Sequence, residues 1–508
     1  MRCACARALH ISTRGAVRHL ARFRVALFAS SAAVACVVAG CGGDPSSPDA
    51  PTSAPEASIL ATGAPTVDAS LLEGSPSVPD AIADVGTSTA DRAPNVDAAE
   101  AGPPDVAPGE VDAGSDAPGG GSFMPAEHPA WPQVPLMAQG SVLRPMRLVP
   151  IVVQGETLSS ALFGFADALV SSSWWAAVGS DYRLGAPVPS AVHVTGGAIP
   201  QSSGRADPQN PGRADMESYI ENLIQANTAP TPDDHTLYIL FLPAGVVAYD
   251  EASGTSNANC QLYTGYHSAF ETFMAADGGV RGVAWGFAQR CGATQGVSDQ
   301  DRLTLTASHE IIEAATDPLP GYGWSQEGPG PATPPPWTQS PYAVLGGEVA
   351  DLCTGTQISE GGYLFSRVWS NTAAMGQGDP CVPALAGVVY VNASAPQPWY
   401  KVAAGASVQI PLTGFSEAPA QDWLLYASVG AGNDAAGRLQ ATISAATSVT
   451  TTLGPTATTN NGRGATLAVN AAAGTPSGTW SLIEVTSQPM AAGGGDPIHF
   501  WPVGVYVP

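Results

Sequence analysis

The chain has 508 residues, only 12% of them charged, with 57 glycines, 46 prolines and a formal net charge of −24. That length exceeds one compact domain and predicts two folded units. A surface so acidic, with Lys401 as the single lysine, excludes nucleic acid and anionic lipid as electrostatic partners.

The first forty residues carry Arg2, Arg7, Arg14, Arg18, Arg22 and Arg24 and no acidic residue. The apolar run "ALFASSAAVACVVAG" follows and ends at Cys41. A charged start, an apolar stretch too short to span a bilayer comfortably, and small residues before the cut predict an export signal over residues 1–40. The ending "VVAGC" resembles the lipobox of bacterial lipoproteins, which implies cleavage before Cys41 and acylation of that cysteine. Gly42 and Gly43 follow it with no adjacent Asp, and the family's sorting habit then points to the outer membrane or cell surface. The expected membrane contact is through this lipid alone. Loss of the six signal arginines makes the mature chain more acidic still.

Residues 41–122 are mostly Pro, Ala, Ser, Gly and Asp with scattered Val, and Arg92 is the only basic residue. Such a stretch cannot bury enough apolar surface to offset its ordering entropy, so a disordered tether is expected. Cys3, Cys5 and Cys36 leave with the signal, and Cys260, Cys291, Cys353 and Cys381 remain. An even remainder in an exported chain predicts two disulfides. Four cysteines allow three pairings, of which sequence order favours Cys260–Cys291 and Cys353–Cys381. The absence of any C-x-x-C among them argues against a cysteine-ligated zinc.

Elements over residues 123–385 predict an α/β domain of mixed sheet and helices. "MRLVPIVVQG" predicts a strand, and "TLSSALFGFADALVSSSWWAAVGSDY" a helix with apolar residues three and four apart. "MESYIENLIQAN" is a second amphipathic helix leading into the buried strand "HTLYILFLPAGV", followed by the strand "VRGVAWGFAQRC". "YAVLGGEVADLC" and "GYLFSRVWSN" are expected to close the unit as strands. Over residues 386–508 helical periodicity vanishes. "GVVYVNA", "ASVQIPL", "DWLLYASV", "LQATISA", "GATLAVNA", "GTWSLIEVTS" and "FWPVGVYV" predict seven strands of an immunoglobulin-like sandwich. It is read as a spacer or binding module.

Between these stands "SHEIIEAATDP", Ser308 to Pro318, one residue short of the metalloprotease signature H-E-x-x-H. On a helix from Leu303 to Asp317, the residues Thr316, His309, Glu313, Thr306, Asp317 and Glu310 fall in one arc about 120° wide. Ala314, Ala307, Ile311, Ala315, Ile312 and Leu305 take the other side. His309 and Glu313 lie one turn apart on one face, as two metal ligands require. Glu310 lies beside them, where a zinc peptidase keeps the general base that takes a proton from the attacking water. Surface helices partition in the same way without any metal. Here, however, the arc holds three carboxylates and no Lys or Arg. Its like-charge neighbours cost about 0.2–0.5 kcal/mol each, a repulsion that a bound cation removes.

Around this motif the chain resembles the plant phosphate-induced, or EXORDIUM-like, extracellular proteins. "FGFADALVSSSWWAAVGSDY" is similar to their helix ending in W-W with a downstream Tyr, and "GYH" at Gly265–His267 to their C-G-[FY]-H. "SHEIIEAATDP" is similar to H-E-[IL]-A-E-x-x-[ST]-[ND]-P, "EVADLC" at Glu348–Cys353 to E-I-A-D-L-C, and "FSRVWSN" to the closing strand. The resemblance covers about residues 145–385; the Gly-rich text that follows the family's D-L-C is absent. Asp317 matches a position that is Asn in many relatives, which makes it a poor ligand. The shared motifs instead add Glu348, Asp351 and His267 to His309 and Glu313 as candidate ligands.

Three functions compete. A metal-dependent hydrolase of zincin-like architecture would use Glu310 as base. It would hold zinc first, with manganese or calcium as alternatives, because a carboxylate in place of the second His weakens the Lewis acid. A non-catalytic surface protein would bind protein or glycan and keep any metal for structure. An envelope factor without a defined ligand is the third. On the metal reading, Glu348 or Asp351 is expected within about 5 Å of His309 or Glu313, close enough to share one ion.

Overall fold

The computed structural model describes residues 123–508 apart from 138–139, 190, 200–205, 208–209, 247, 251–254, 257–259, 261–263, 275–279, 294–296, 327–334, 446–447, 452–453 and 491–498. The signal region, Cys41 and the tether lie outside the described residues. Strands outnumber helices, and a four-stranded and a six-stranded sheet form a β-sandwich in the C-terminal part.

The first unit is built on a five-stranded sheet, in the order Val194–Thr195, Arg147–Val152, Thr236–Leu242, Val280–Gln289, Gly265–Met274. The first four strands are parallel and the last is antiparallel to its neighbour. Every residue of the central strand Thr236–Leu242 is buried, which requires cover on both faces. Leu237, Ile239 and Phe241 face one core and Tyr238, Leu240 and Leu242 the other, the period-2 alternation of a strand. Helices α1 (Ser159–Ser171), α2 (Ser173–Asp181) and α4 (Asp299–Thr316) cover the first face, and α3 (Asp215–Gln225) the second through Met216, Ile220 and Ile224.

Two expectations need correction here. The long first helix is two helices bent by 54°. Ser172 takes an extended backbone and its hydroxyl accepts the Trp175 N–H, starting α2 afresh. Among the described residues no single helix is long and apolar enough to cross a membrane. The second correction concerns "YAVLGGEVADLC", which is not a strand. It forms a short helix, Pro341–Val344, and a 3-10 turn, Asp351–Cys353. Between them Gly346 and Gly347 take positive φ, which no strand passes through.

Disulfides join Cys260 to Cys291 and Cys353 to Cys381, with Cα separations of 5.7 and 5.8 Å. The second anchors the end of the "EVADLC" segment.

The sandwich packs a sheet of four strands against one of six. All seven expected strands are present, and Trp399–Lys401, Ser448–Thr451 and Gly454–Thr459 are additional. The last two form a Thr-rich hairpin whose sequence lacks the apolar alternation that marks a half-buried strand. The two units share a continuous core. Trp131, in the segment that precedes the first sheet, has its ring 4.8 Å from Trp501 and 5.7 Å from Trp369. Asn461 of the sandwich accepts the Ala126 N–H at 2.7 Å and donates to the Met124 carbonyl at 2.8 Å.

Candidate metal centre

Helix α4 positions the motif. Ser298 caps it by accepting the Asp301 N–H, and Asp299 and Asp301 sit at its positive end. Leu303, Ala307, Ile311, Ala314 and Ala315 are fully buried in the core. Ser308, the polar residue on the inner face, is also fully buried, and its hydroxyl accepts the Ser366 N–H at 2.8 Å. That bond ties α4 to the strand Tyr363–Ser366. At the far end the Asp317 carboxylate accepts the backbone N–H groups of Gly321, Tyr322 and Gly323 at 2.6, 3.2 and 2.7 Å. Asp317 is therefore committed to the loop that ends the helix.

The antiparallel edge strand Gly265–Met274 brings His267 to the helix. It comes close because Gly265 has no side chain: a Cβ there would stand 2.7 Å from Thr306 Cγ2 and 3.1 Å from Glu310 Cγ. Gly265, His267 and Ala269 are buried while Thr264, Tyr266 and Ser268 are half-buried, so the inward face of this strand is small residues and one histidine. That composition carries no apolar alternation, and the sequence reading missed the strand while keeping its histidine.

The third contribution is the turn at Glu348–Cys353. Glu348 forms a bridge with Ser325, Trp369 N–H bonds the Val349 carbonyl, and Cys353 is held by its disulfide. The N–H groups of Ala350 and Asp351 both donate to Glu313 Oε1, at 3.2 and 3.1 Å. One carboxylate oxygen of the helix is thus fixed by the turn.

All six candidate residues meet. His309 Nε2 lies 3.3 Å from Glu313 Oε2 and 3.3 Å from Asp351 Oδ1. His267 Nδ1 stands 3.7 Å from both Glu310 Oε2 and Glu313 Oε2, and its Nε2 is 3.8 Å from Glu348 Oε1. The site has a dry side and a wet side. The side chains of His267, Glu310, Glu313 and Glu348 are 3–8% exposed, those of His309 and Asp351 20% and 27%.

Electrostatically the cluster calls for positive charge. Burial pulls both imidazoles down, yet the carboxylates beside them win: Glu348, Glu310 and Glu313 hold His267, and Glu313 and Asp351 hold His309, well above the usual histidine range. Burial pushes Glu313 up, but the His309 charge and the two imidazoles facing its Oε2 hold it well below the usual carboxylate range. Burial dominates at Glu310, which is raised. Asp351 is pushed up to about 6 by burial and by the Glu313 charge.

Two donor sets satisfy the proximity a cation needs: His309, Glu313 and Asp351, and His267, Glu313 and Glu348, each with its ligand atoms within 4.8 Å of one another. A tetrahedral ion with bonds of 2.0–2.1 Å separates its ligands by about 3.3 Å. The two edges of the outer set that start at His309 Nε2, both 3.3 Å, fit that value. Neutral imidazole and carboxylate oxygen suit zinc and manganese. A cation here takes the place of the protons the imidazoles otherwise carry.

No family model matches the chain, and no curated protein matches it. Similar solved structures include surface layer protein SbsC, domains 1–6, at 14% identity over 24% of this chain and 13% of that one, with a TM-score of 0.15. The periplasmic chaperone SfaE is 14% identical over 23% of this chain and 57% of its own, with a TM-score of 0.16. A chain of the CsuC–CsuE chaperone–tip adhesion subunit pre-assembly complex of Acinetobacter baumannii is 11% identical over 24% and 52%, with a TM-score of 0.16. The chain therefore spans less than two thirds of each, and likeness at these scores carries no argument about the centre on α4.

Proposed function

We propose that the protein is an exported envelope protein that binds a divalent transition metal at His309, Glu313 and Asp351 and uses the site for hydrolysis outside the cytoplasm. The observation that carries the reading is the pair of 3.3 Å ligand edges on the partly exposed side of the cluster. The ion would supply Lewis acidity, moderated by two carboxylates, to a water and to the bond being cut. The protein's own part is the rest. His309 offers a neutral Nε2 lone pair once its proton has left. Glu313 presents Oε2 in a fixed direction because Ala350 and Asp351 hold Oε1. Glu310, with its carboxyl raised by burial, is the group that would accept a proton from water.

In this reading the mixed sheet, its antiparallel edge strand and the H-E-x-x-E helix are a zincin-like arrangement, and the resemblance to EXORDIUM-like proteins belongs to the same domain. Acylation at Cys41 would hold the chain at the outer membrane or cell surface, and the sandwich would serve as an immunoglobulin-like spacer or as a binder of protein or glycan. A structural role for the ion is the second reading. It is favoured by Glu310 being 8% exposed and turned toward His267.

Two measurements test this. The full chain, loaded with Zn2+ and dialysed, should retain zinc, and His309→Ala should release the ion held at His309. Glu310→Gln should abolish hydrolysis in a peptide-library assay while zinc is retained. A chain that retains no zinc overturns the metal reading; a metal-loaded chain with no activity for Glu310→Gln to remove leaves the structural reading.

A further inference from the structure

Resting on that reading, we propose that the cluster holds a second divalent cation, at His267, Glu313 and Glu348, with Glu313 bridging the two ions. Three observations converge on it.

The first is an orphaned donor. His267 Nε2 is buried with no hydrogen-bond partner, on a side chain 3% exposed, and it points at Glu348 Oε1 3.8 Å away. Leaving a buried polar atom without a partner is unfavourable, and an imidazole nitrogen is the commonest transition-metal ligand. An imidazolium hydrogen-bonded to its neighbours is the competing account, and the distances disfavour it. His267 Nδ1 stands 3.7 Å from Glu310 and Glu313 and its Nε2 3.8 Å from Glu348, beyond the roughly 2.7–3.2 Å of an N–H···O bond. An ion takes one ring nitrogen, and one ligand atom each from His267, Glu313 and Glu348 lie within 4.8 Å of one another.

The second is charge. Glu310, Glu313, Glu348 and Asp351 meet two imidazoles in one mostly buried cluster. With the imidazoles neutral, as ligation requires, and the four carboxylates ionised, their charge exceeds that of a single divalent ion by two. Buried charge without compensation is strongly unfavourable. A second divalent ion closes the balance.

The third is how Glu313 is held. Its Oε1 is occupied by two backbone N–H groups. Its Oε2 faces both imidazole rings, 3.3 Å from His309 Nε2 and 3.7 Å from the nearer nitrogen of His267, Nδ1. Both donor sets contain this residue. A carboxylate placed between two ions is the usual bridge of two-metal hydrolytic sites, where the second ion stabilises the attacking or leaving oxygen.

The test is stoichiometry. The full chain reconstituted with Mn2+ alone and dialysed should hold two equivalents by mass spectrometry of the metal, with a spin-coupled rather than isolated Mn2+ resonance. His267→Gln should hold one equivalent with an isolated resonance, and Glu348→Gln should do the same. Circular dichroism checks that each variant is folded; if one is not, the other serves. One equivalent in the wild type, unchanged by His267→Gln, overturns the second site and leaves the first. One equivalent lost in His267→Gln overturns the pair and moves the ion to the inner set. No retained metal in the wild type overturns the underlying reading as well.

Discussion

His499 makes the chain acid-sensitive by an amount that can be worked out. It lies at the start of the strand His499–Tyr506, 4% exposed, with its ring 4.4 Å from that of Tyr390 and Nε2 without a hydrogen-bond partner. Burial, and then the charge of the buried Arg367, pull its pKa down to about 3, from 6.5. The folded state therefore keeps His499 neutral while the unfolded chain protonates it. The sign follows: its contribution is fully present above pH 6.5 and is lost as pH falls toward 3. At 1.36 kcal/mol per unit, moving from pH 7 to pH 4 should remove about 3 kcal/mol of stability through this one residue. His499→Phe keeps an aromatic ring against Tyr390 and removes the titration. Urea midpoints at pH 7, 6, 5 and 4 measure the effect, and the quantity that matters is the variant-minus-wild-type difference at each pH. That difference should move in the variant's favour by about 3 kcal/mol across the range, whatever the substitution costs at pH 7. Parallel pH profiles for the two proteins would refute the argument. They would mean that His499 is protonated in place, or that water reaches it.

Three further outcomes are expected. Gly265→Ala puts a methyl against the Phe287 carbonyl of the neighbouring strand as well as against Thr306 and Glu310; overpacking of this kind costs about 1–3 kcal/mol. By pushing the edge strand off α4 it should also lower Mn2+ stoichiometry, and unchanged binding would separate His267 from the site. Glu484, whose carboxyl burial raises to about 7 although Ser428 bonds it, contributes stability that is present below pH 4.5 and lost as pH rises through 7. Glu484→Gln should therefore stabilise the protein at pH 8 and not at pH 4, and a gain of equal size at both would show that charge is not the cause. Replacing Cys353 and Cys381 together by Ser opens a loop of sequence separation 28 and should cost about 3–4 kcal/mol on the chain-entropy account. It should also weaken metal binding, since the turn that fixes Glu313 loses its anchor; a variant with native affinity would show that the turn is held by other contacts.

What could be read from sequence is what depends on neighbours along the chain. The four-residue spacing of His309 and Glu313 puts both on one face of any helix, and the helix is there because apolar residues recur at 3.6 around them and Ser298 caps its start. The continuous apolar run at Thr236–Leu242 could only be a strand covered on both faces. An even cysteine count in chain order anticipated both disulfides. What tertiary structure decided depends on residues far apart in sequence. His267 enters the site on an edge strand whose inward face is too small and polar to show a period. Ala350 and Asp351 act on Glu313 through backbone N–H groups, which every non-proline residue has and no sequence pattern marks. "EVADLC" reads as a strand by its composition but turns at Gly346 and Gly347, and that turn swings Glu348 and Asp351 toward the helix. Burial of the cluster, which raises Glu310 and leaves His267 Nε2 without a partner, exists only once helix, edge strand and turn have closed over the same few ångströms. Desolvation is a property of the assembled site and of none of its segments.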